Sequence, residues 1–130
     1  VGDAVHVVLA TALVGPDDET VLAFSGGLPG PFVATVGPAA TIYVNVAEAA
    51  RVDVDLGVLI AHELAHQLGL QHTIENGAQP GGLGEDRLPD TRFDDYTNLM
   101  HWDAQLGGTS LTRQQIATMR AHPRLQAADP

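Results

Sequence analysis

Cysteine and lysine are both absent from this chain of 130 residues. Without cysteine there can be no disulfide, no thiolate metal site and no cysteine nucleophile. Without lysine, the six basic residues are all arginine, and they stand against sixteen Asp and Glu, for a formal net charge of −10. That balance argues against nucleic acid or an anionic membrane as the main partner. Aromatic residues make up only 5% of the chain. The longest apolar run, residues 56–61, falls far short of the roughly 20 residues that a membrane span requires. At the start, Val1-Gly2-Asp3 offers neither an initiator Met nor the charged and apolar regions of a signal peptide. The chain is therefore expected to be a trimmed or processed piece, and its length allows one domain, residues 1–130. Against these shortages stands one surplus: six histidines in a short acidic protein.

The first third reads as extended. Residues 4–14 are rich in β-branched side chains without a helical stripe, residues 15–18 form a turn cluster, and residues 20–24 suggest a second strand. A Gly- and Pro-rich loop, 25–31, precedes a short edge strand expected over 32–36, and residues 41–46 give the strongest strand pattern. A helix is predicted from Asp53 or Asp55 to Leu68, with Asp55 as N-cap and Gly69 in the left-handed position that closes it. Its apolar residues cover most of the circumference, which predicts burial nearly all round and leaves one polar arc of His62, Glu63 and His66. Residues 73–97 read as a long loop. The last helix starts at Thr112, where Gln115 completes a capping box and Leu111 faces Ile116. It is predicted to end near His122 and to pack through Ile116 and Met119.

The chemistry concentrates in His62-Glu63-Leu64-Ala65-His66-Gln67-Leu68-Gly69-Leu70-Gln71-His72. Histidines at i and i+4 on a helix point the same way and can fill two corners of a tetrahedral zinc site. Glu63 projects beside them without having to bind. Gly69 lets the chain turn sharply, so that His72 can swing back as a third ligand. Three protein ligands leave a fourth position for water, the arrangement of a catalytic rather than a closed structural zinc site.

This string resembles the zinc-binding consensus of the metzincin clan of metallopeptidases at every fixed position, HExxHxxGxxH. Asn98-Leu99-Met100-His101-Trp102 is similar to the clan's Met-turn, with Met100 as the family methionine. The resemblance covers residues 54–102 and implies an α+β fold: a small twisted mixed sheet, a central zinc helix, the Met-turn and a C-terminal helix. It implies one catalytic Zn²⁺ on His62, His66 and His72, and Glu63 as general base in a zinc-dependent endopeptidase that hydrolyses peptide or protein substrates. It also implies secretion or another extracytoplasmic setting. Thr73, after the third histidine, points to no particular subfamily. Trp102 stands where some members carry a zinc-reaching tyrosine, so no tyrosine ligand is expected.

Substrate is expected to add as a strand along the edge formed by Phe32, Val33, Ala34 and Thr35. Residues 101–109, with His101 and Trp102 at their head, are expected to wall the pocket after the scissile bond. His101 and Tyr96 are candidates for helping an oxyanion, whereas His6 and His122 read as structural. Asp86, Asp90, Asp94 and Asp95 are a possible Ca²⁺ site, but their spacing fits no EF-hand and a solvated acidic loop is the simpler account. A zinc-binding module with little or no peptidase activity is the alternative function. The acid at Glu63 favours the enzyme, since a mere metal clip has no use for it.

Overall fold

A computed structural model describes residues 5–30, 38–75 and 85–126. Within them the chain forms a small α+β unit with a three-stranded mixed sheet and four helices. The strands are β1 (His6–Ala10), β2 (Ala23–Ser25) and β3 (Thr41–Asn45), in the order β1-β3-β2. β1 pairs parallel to β3, with His6 opposite Thr41, and β2 pairs antiparallel, with Phe24 opposite Tyr43. The Phe24 and Tyr43 rings stack at 4.6 Å. β3 is the buried centre: Ile42 and Val44 are fully covered, while β1 leaves Val7, Val8 and Leu9 exposed.

The structure adds a helix that the strand pattern hid. The chain turns from β3 directly into α1 (Val46–Arg51), whose first turn is capped by the Asn45 side chain accepting from the Glu48 N–H at 3.1 Å. An N-cap that is also the last residue of a strand leaves no spacer to announce a new element. α2 (Leu56–Gln67) begins where expected, with the Asp55 carboxylate capping Val58 N–H at 2.9 Å.

The burial of α2 differs from expectation. Leu56 and Leu64 are exposed, and the buried face carries Leu59, His62, Glu63, Ala65, His66 and Gln67. The helix is not covered all round; its ionisable arc is the part turned inward.

α3 (Arg113–Arg120) has both halves of the Thr112–Gln115 capping box. It stops before His122, and Pro123 opens a separate turn, α4 (Pro123–Gln126), as suits proline's fixed φ at a first helical position. Met119 packs inward as expected, but Ile116 is 37% exposed because the buried side of α3 is taken by Gln115.

Two apolar clusters fix the helix that matters. Ile42, Val44, Ala49, Val54 and Leu59 join the sheet to α1 and the start of α2. Ala65, Leu70 and Met100 form a second cluster at the other end of α2, backed by Leu99, Leu111 and Met119. No described helix is long and apolar enough to cross a membrane.

Candidate metal centre

The end of α2 turns through two backbone bonds, Gly69 N–H to His66 O at 2.9 Å and Leu70 N–H to Ala65 O at 3.0 Å. With Gly69 at φ +98° this is a Schellman closure, and it puts Leu70 over Ala65 in the second cluster. The chain is thereby sent back along the helix. His72 is then held between two segments: Thr73 N–H donates to Met100 O at 2.9 Å, and Asp86 N–H donates to His72 O at 2.7 Å.

The three histidines of the motif meet. His62 Nε2 lies 3.0 Å from His72 Nε2, and His66 Nε2 lies 3.1 Å from it. The other ring nitrogen of each is occupied. His62 Nδ1–H donates to Leu99 O at 2.6 Å and His66 Nδ1–H to Leu70 O at 2.7 Å. His72 Nδ1 meets the Glu75 carboxylate at 2.9 Å. Carbonyls and carboxylates only accept, so each Nδ1 carries its proton and each Nε2 presents a lone pair. Three lone pairs then converge, an arrangement that a bound metal cation would satisfy. Tetrahedral geometry at a metal–nitrogen length of about 2.0–2.1 Å puts ligand nitrogens about 3.3 Å apart. The two spacings to His72 lie within a few tenths of that, the three ligand nitrogens all lie within 4.8 Å of one another, and His62, His66 and His72 are the one group among the described residues able to hold a metal ion.

Burial prepares these rings to bind. It pushes His62 down to about 3, with His66 and the other neighbouring imidazoles adding to the effect, and the Leu99 carbonyl opposing it. His66 falls to about 4, first through burial and then through His72. Both rings are therefore neutral in neutral and mildly acidic solution, as ligation requires. Glu63 is moved the other way, up to about 7, by burial; a hydrogen bond from the Ser25 backbone opposes the rise. Its Oε2 is buried and has no hydrogen-bond partner among the described residues.

Met100 is fully buried. Asn98 Oδ1 accepts from Met100 N–H at 2.9 Å, and His101 N–H closes the turn on Asn98 O at 3.1 Å. The turn supplies two of the contacts already described: Leu99 O fixes His62, and Met100 O fixes the chain after His72. A cleft of about 300 Å³ opens over the histidines and Glu63, with Leu22, Phe24, Leu59, Trp102 and Ala104 among its walls. Comparisons with protein-family models, curated proteins and solved structures gave no match. The centre is therefore judged on its own geometry.

Other candidates fall in several places. Trp102 lines the cleft, whereas His101 and Tyr96 line a neighbouring pocket, their rings 5.2 Å apart. Phe32, Val33, Ala34 and Thr35 lie outside the described residues. The strand that borders the cleft among the described residues is β2, an edge of the sheet.

The four aspartates form no described metal cluster. Asp86 accepts from Leu88 N–H and Gln115, Asp90 from Gln114 N–H, Asp94 pairs with Arg92, and Asp95 accepts from Thr97. His122 is buried, with its Nδ1 accepting from Arg124 N–H at 3.3 Å. His6 lies on β1, is exposed and is not part of the histidine cluster.

Three contributors escaped sequence reasoning. Glu75 orients His72, and its only trace is a carboxylate three residues after the ligand. Gln67 donates through Nε2 to Ser25 Oγ at 2.8 Å and Ala39 O at 3.1 Å, tying β2 to α2. Ser25 in turn holds Glu63 through its backbone. A polar Gln67 inside an apolar helix was a visible signal; Ser25, in a Gly- and Pro-rich loop, was not.

Proposed function

We propose that this protein is a zinc-dependent endopeptidase of metzincin-like design. The carrying observation is the pairing of three converging imidazole lone pairs with an unpartnered buried carboxylate oxygen beside them, at the floor of an open cleft. Three imidazole nitrogen ligands suit zinc and leave a coordination position for chemistry. Zinc held there supplies Lewis acidity to a water and to the carbonyl of the bond to be cut.

The chain's own residues do the rest. Glu63 takes a proton from the attacking water and delivers it to the leaving amine, a role suited to a group poised near neutrality. Ser25 N–H fixes one side of that carboxylate while Oε2 is left for the water. Glu75 keeps His72 turned so that Nε2 faces the metal. The free edge of β2 offers backbone groups for an extended peptide, and Leu22, Leu59 and Ala104 offer apolar surface to its side chains.

The test is cleavage of a mixed peptide library by zinc-loaded protein, with and without a chelator, beside Glu63→Ala. Chelator-sensitive cleavage is expected, with Glu63→Ala slower by about 10²–10⁴-fold at unchanged zinc content. Stoichiometric zinc with no chelator-sensitive cleavage would leave a metal-binding module in place of an enzyme.

A further inference from the structure

Beside the metal cleft lies a second pocket of about 320 Å³, and the two share Glu75 and Trp102 as a common wall. The second pocket has an unusual lining for so aromatic-poor a chain. Phe93, Tyr96 and Trp102 are all in it, and all are exposed. The His101 ring lies between two of them, 5.2 Å from Tyr96 and 6.0 Å from Trp102.

Three carboxylates share this lining: Glu75, Asp94 and Asp103. Asp94 is neutralised by Arg92, through two hydrogen bonds of 2.9 and 2.8 Å. The other two have no arginine partner among the described residues. Glu75 accepts from His72 Nδ1, and Asp103 Oδ1 accepts from Gln105 N–H at 3.0 Å. Among the described residues no arginine lines the pocket.

Ring faces attract cations, and carboxylates without counter-ions attract them more. Ile74 and Leu106 add aliphatic surface against which a long stem can lie while its charged head reaches the carboxylates. A purely apolar occupant would instead strip water from Glu75 and Asp103 and give nothing back. The net charge of −10 favours the approach of the same class of ligand.

We propose that this pocket is a subsite for a basic side chain, arginine or lysine, and that it directs the protein to cationic peptides. As a statement about substrate it rests on the peptidase proposal, but as a statement about binding it needs no turnover. Trp102 is the only tryptophan, so intrinsic fluorescence reports on this wall alone.

The experiment uses the full chain carrying Glu63→Ala, loaded with zinc and titrated with short peptides that differ at one position: arginine, lysine or norleucine. The arginine and lysine peptides are expected to perturb Trp102 emission and to bind about tenfold more tightly than the norleucine peptide, a gap that shrinks with added salt. Asp103→Asn is expected to reduce that gap by several-fold. Tyr96→Leu, on an exposed ring, does the same without touching the cap at Gln105. Equal or tighter binding of the norleucine peptide overturns the proposal, and so does a gap that neither variant changes.

Cleavage of the same peptides by the wild type separates the two proposals. Selective binding without cleavage removes the peptidase and keeps the subsite. Cleavage indifferent to the basic residue does the reverse.

Discussion

Two buried polar clusters flank the turn at Met100, and they are built on opposite principles. On one side Gln115, fully buried on α3, joins Asn98 to Asp86. Asn98 Nδ2 donates to Gln115 Oε1 at 2.9 Å, and Gln115 Nε2 donates to Asp86 Oδ2 at 2.9 Å. Thr112 N–H donates to the same Gln115 Oε1, and Met100 N–H to Asn98 Oδ1. Donors there face acceptors.

On the other side three imidazole nitrogens face one another, next to a carboxylate oxygen with no hydrogen-bond partner among the described residues. Burying polar groups is tolerable when they are paired and costly when they are not. The first cluster therefore holds the fold together, and the second spends stability on a ligand. The fold uses one to position the other, because Asn98 and Asp86 belong to the segments that fix His62 and His72.

The sharpest way to break this contrast is to substitute one member on each side. His66→Ala is expected to abolish stoichiometric zinc binding. In chelator it should melt no lower than the wild type, since it relieves crowded lone pairs at the expense of some packing. With zinc only the wild type should gain melting temperature. Thermal scans with and without zinc check this.

Gln115→Ala should behave differently, losing about 2–3 kcal/mol with or without zinc, because Asn98 and Asp86 lose buried partners. Denaturant titration of both states measures it. A loss confined to the zinc-loaded state would reverse the roles assigned to the two clusters.

The smallest effect is a pH dependence of the metal-free protein. Its His62 and His66 sit at about 3 and 4, against an ordinary histidine value of 6.5. The unfolded chain therefore binds more protons at these sites as pH falls below 6.5, and stability falls with it until the folded values are passed. Glu63 has the opposite sign. At about 7 against 4.5, its contribution is complete below 4.5 and is lost as pH rises to 7. Between 6.5 and 4.5 two histidines outweigh one glutamate, so net stability should drop on acidification. His66→Ala should flatten that slope.

The meeting of His62, His66 and His72 was legible in the sequence because its determinants are local. Helical spacing aligns His62 with His66, and a glycine with positive φ turns His72 back within six residues of His66. Capping was legible for the same reason at Asp55, Thr112 and Gln115. The sheet was less so. Its strands could be sensed from β-branched composition, but the parallel pairing of β1 with β3 joins residues far apart in the chain, which no local pattern encodes.

Periodicity also overstated how far α2 is covered. It located the polar arc and predicted burial nearly all round, yet the buried face is the one with His62, Glu63 and His66, and Leu56 and Leu64 are left exposed. α1 was hidden because Asn45 ends a strand and caps a helix at once. Glu75 shows the same limit, since its partner is identified by geometry and not by residue type.

The central claim is that His62, His66 and His72 hold zinc in an open site. X-ray absorption at the zinc edge of the stoichiometrically loaded protein tests it most directly. The expected result is three histidine nitrogens at about 2.0–2.1 Å with one further light ligand from solvent. A shell closed by four protein ligands, or failure to retain one zinc per chain, would contradict it.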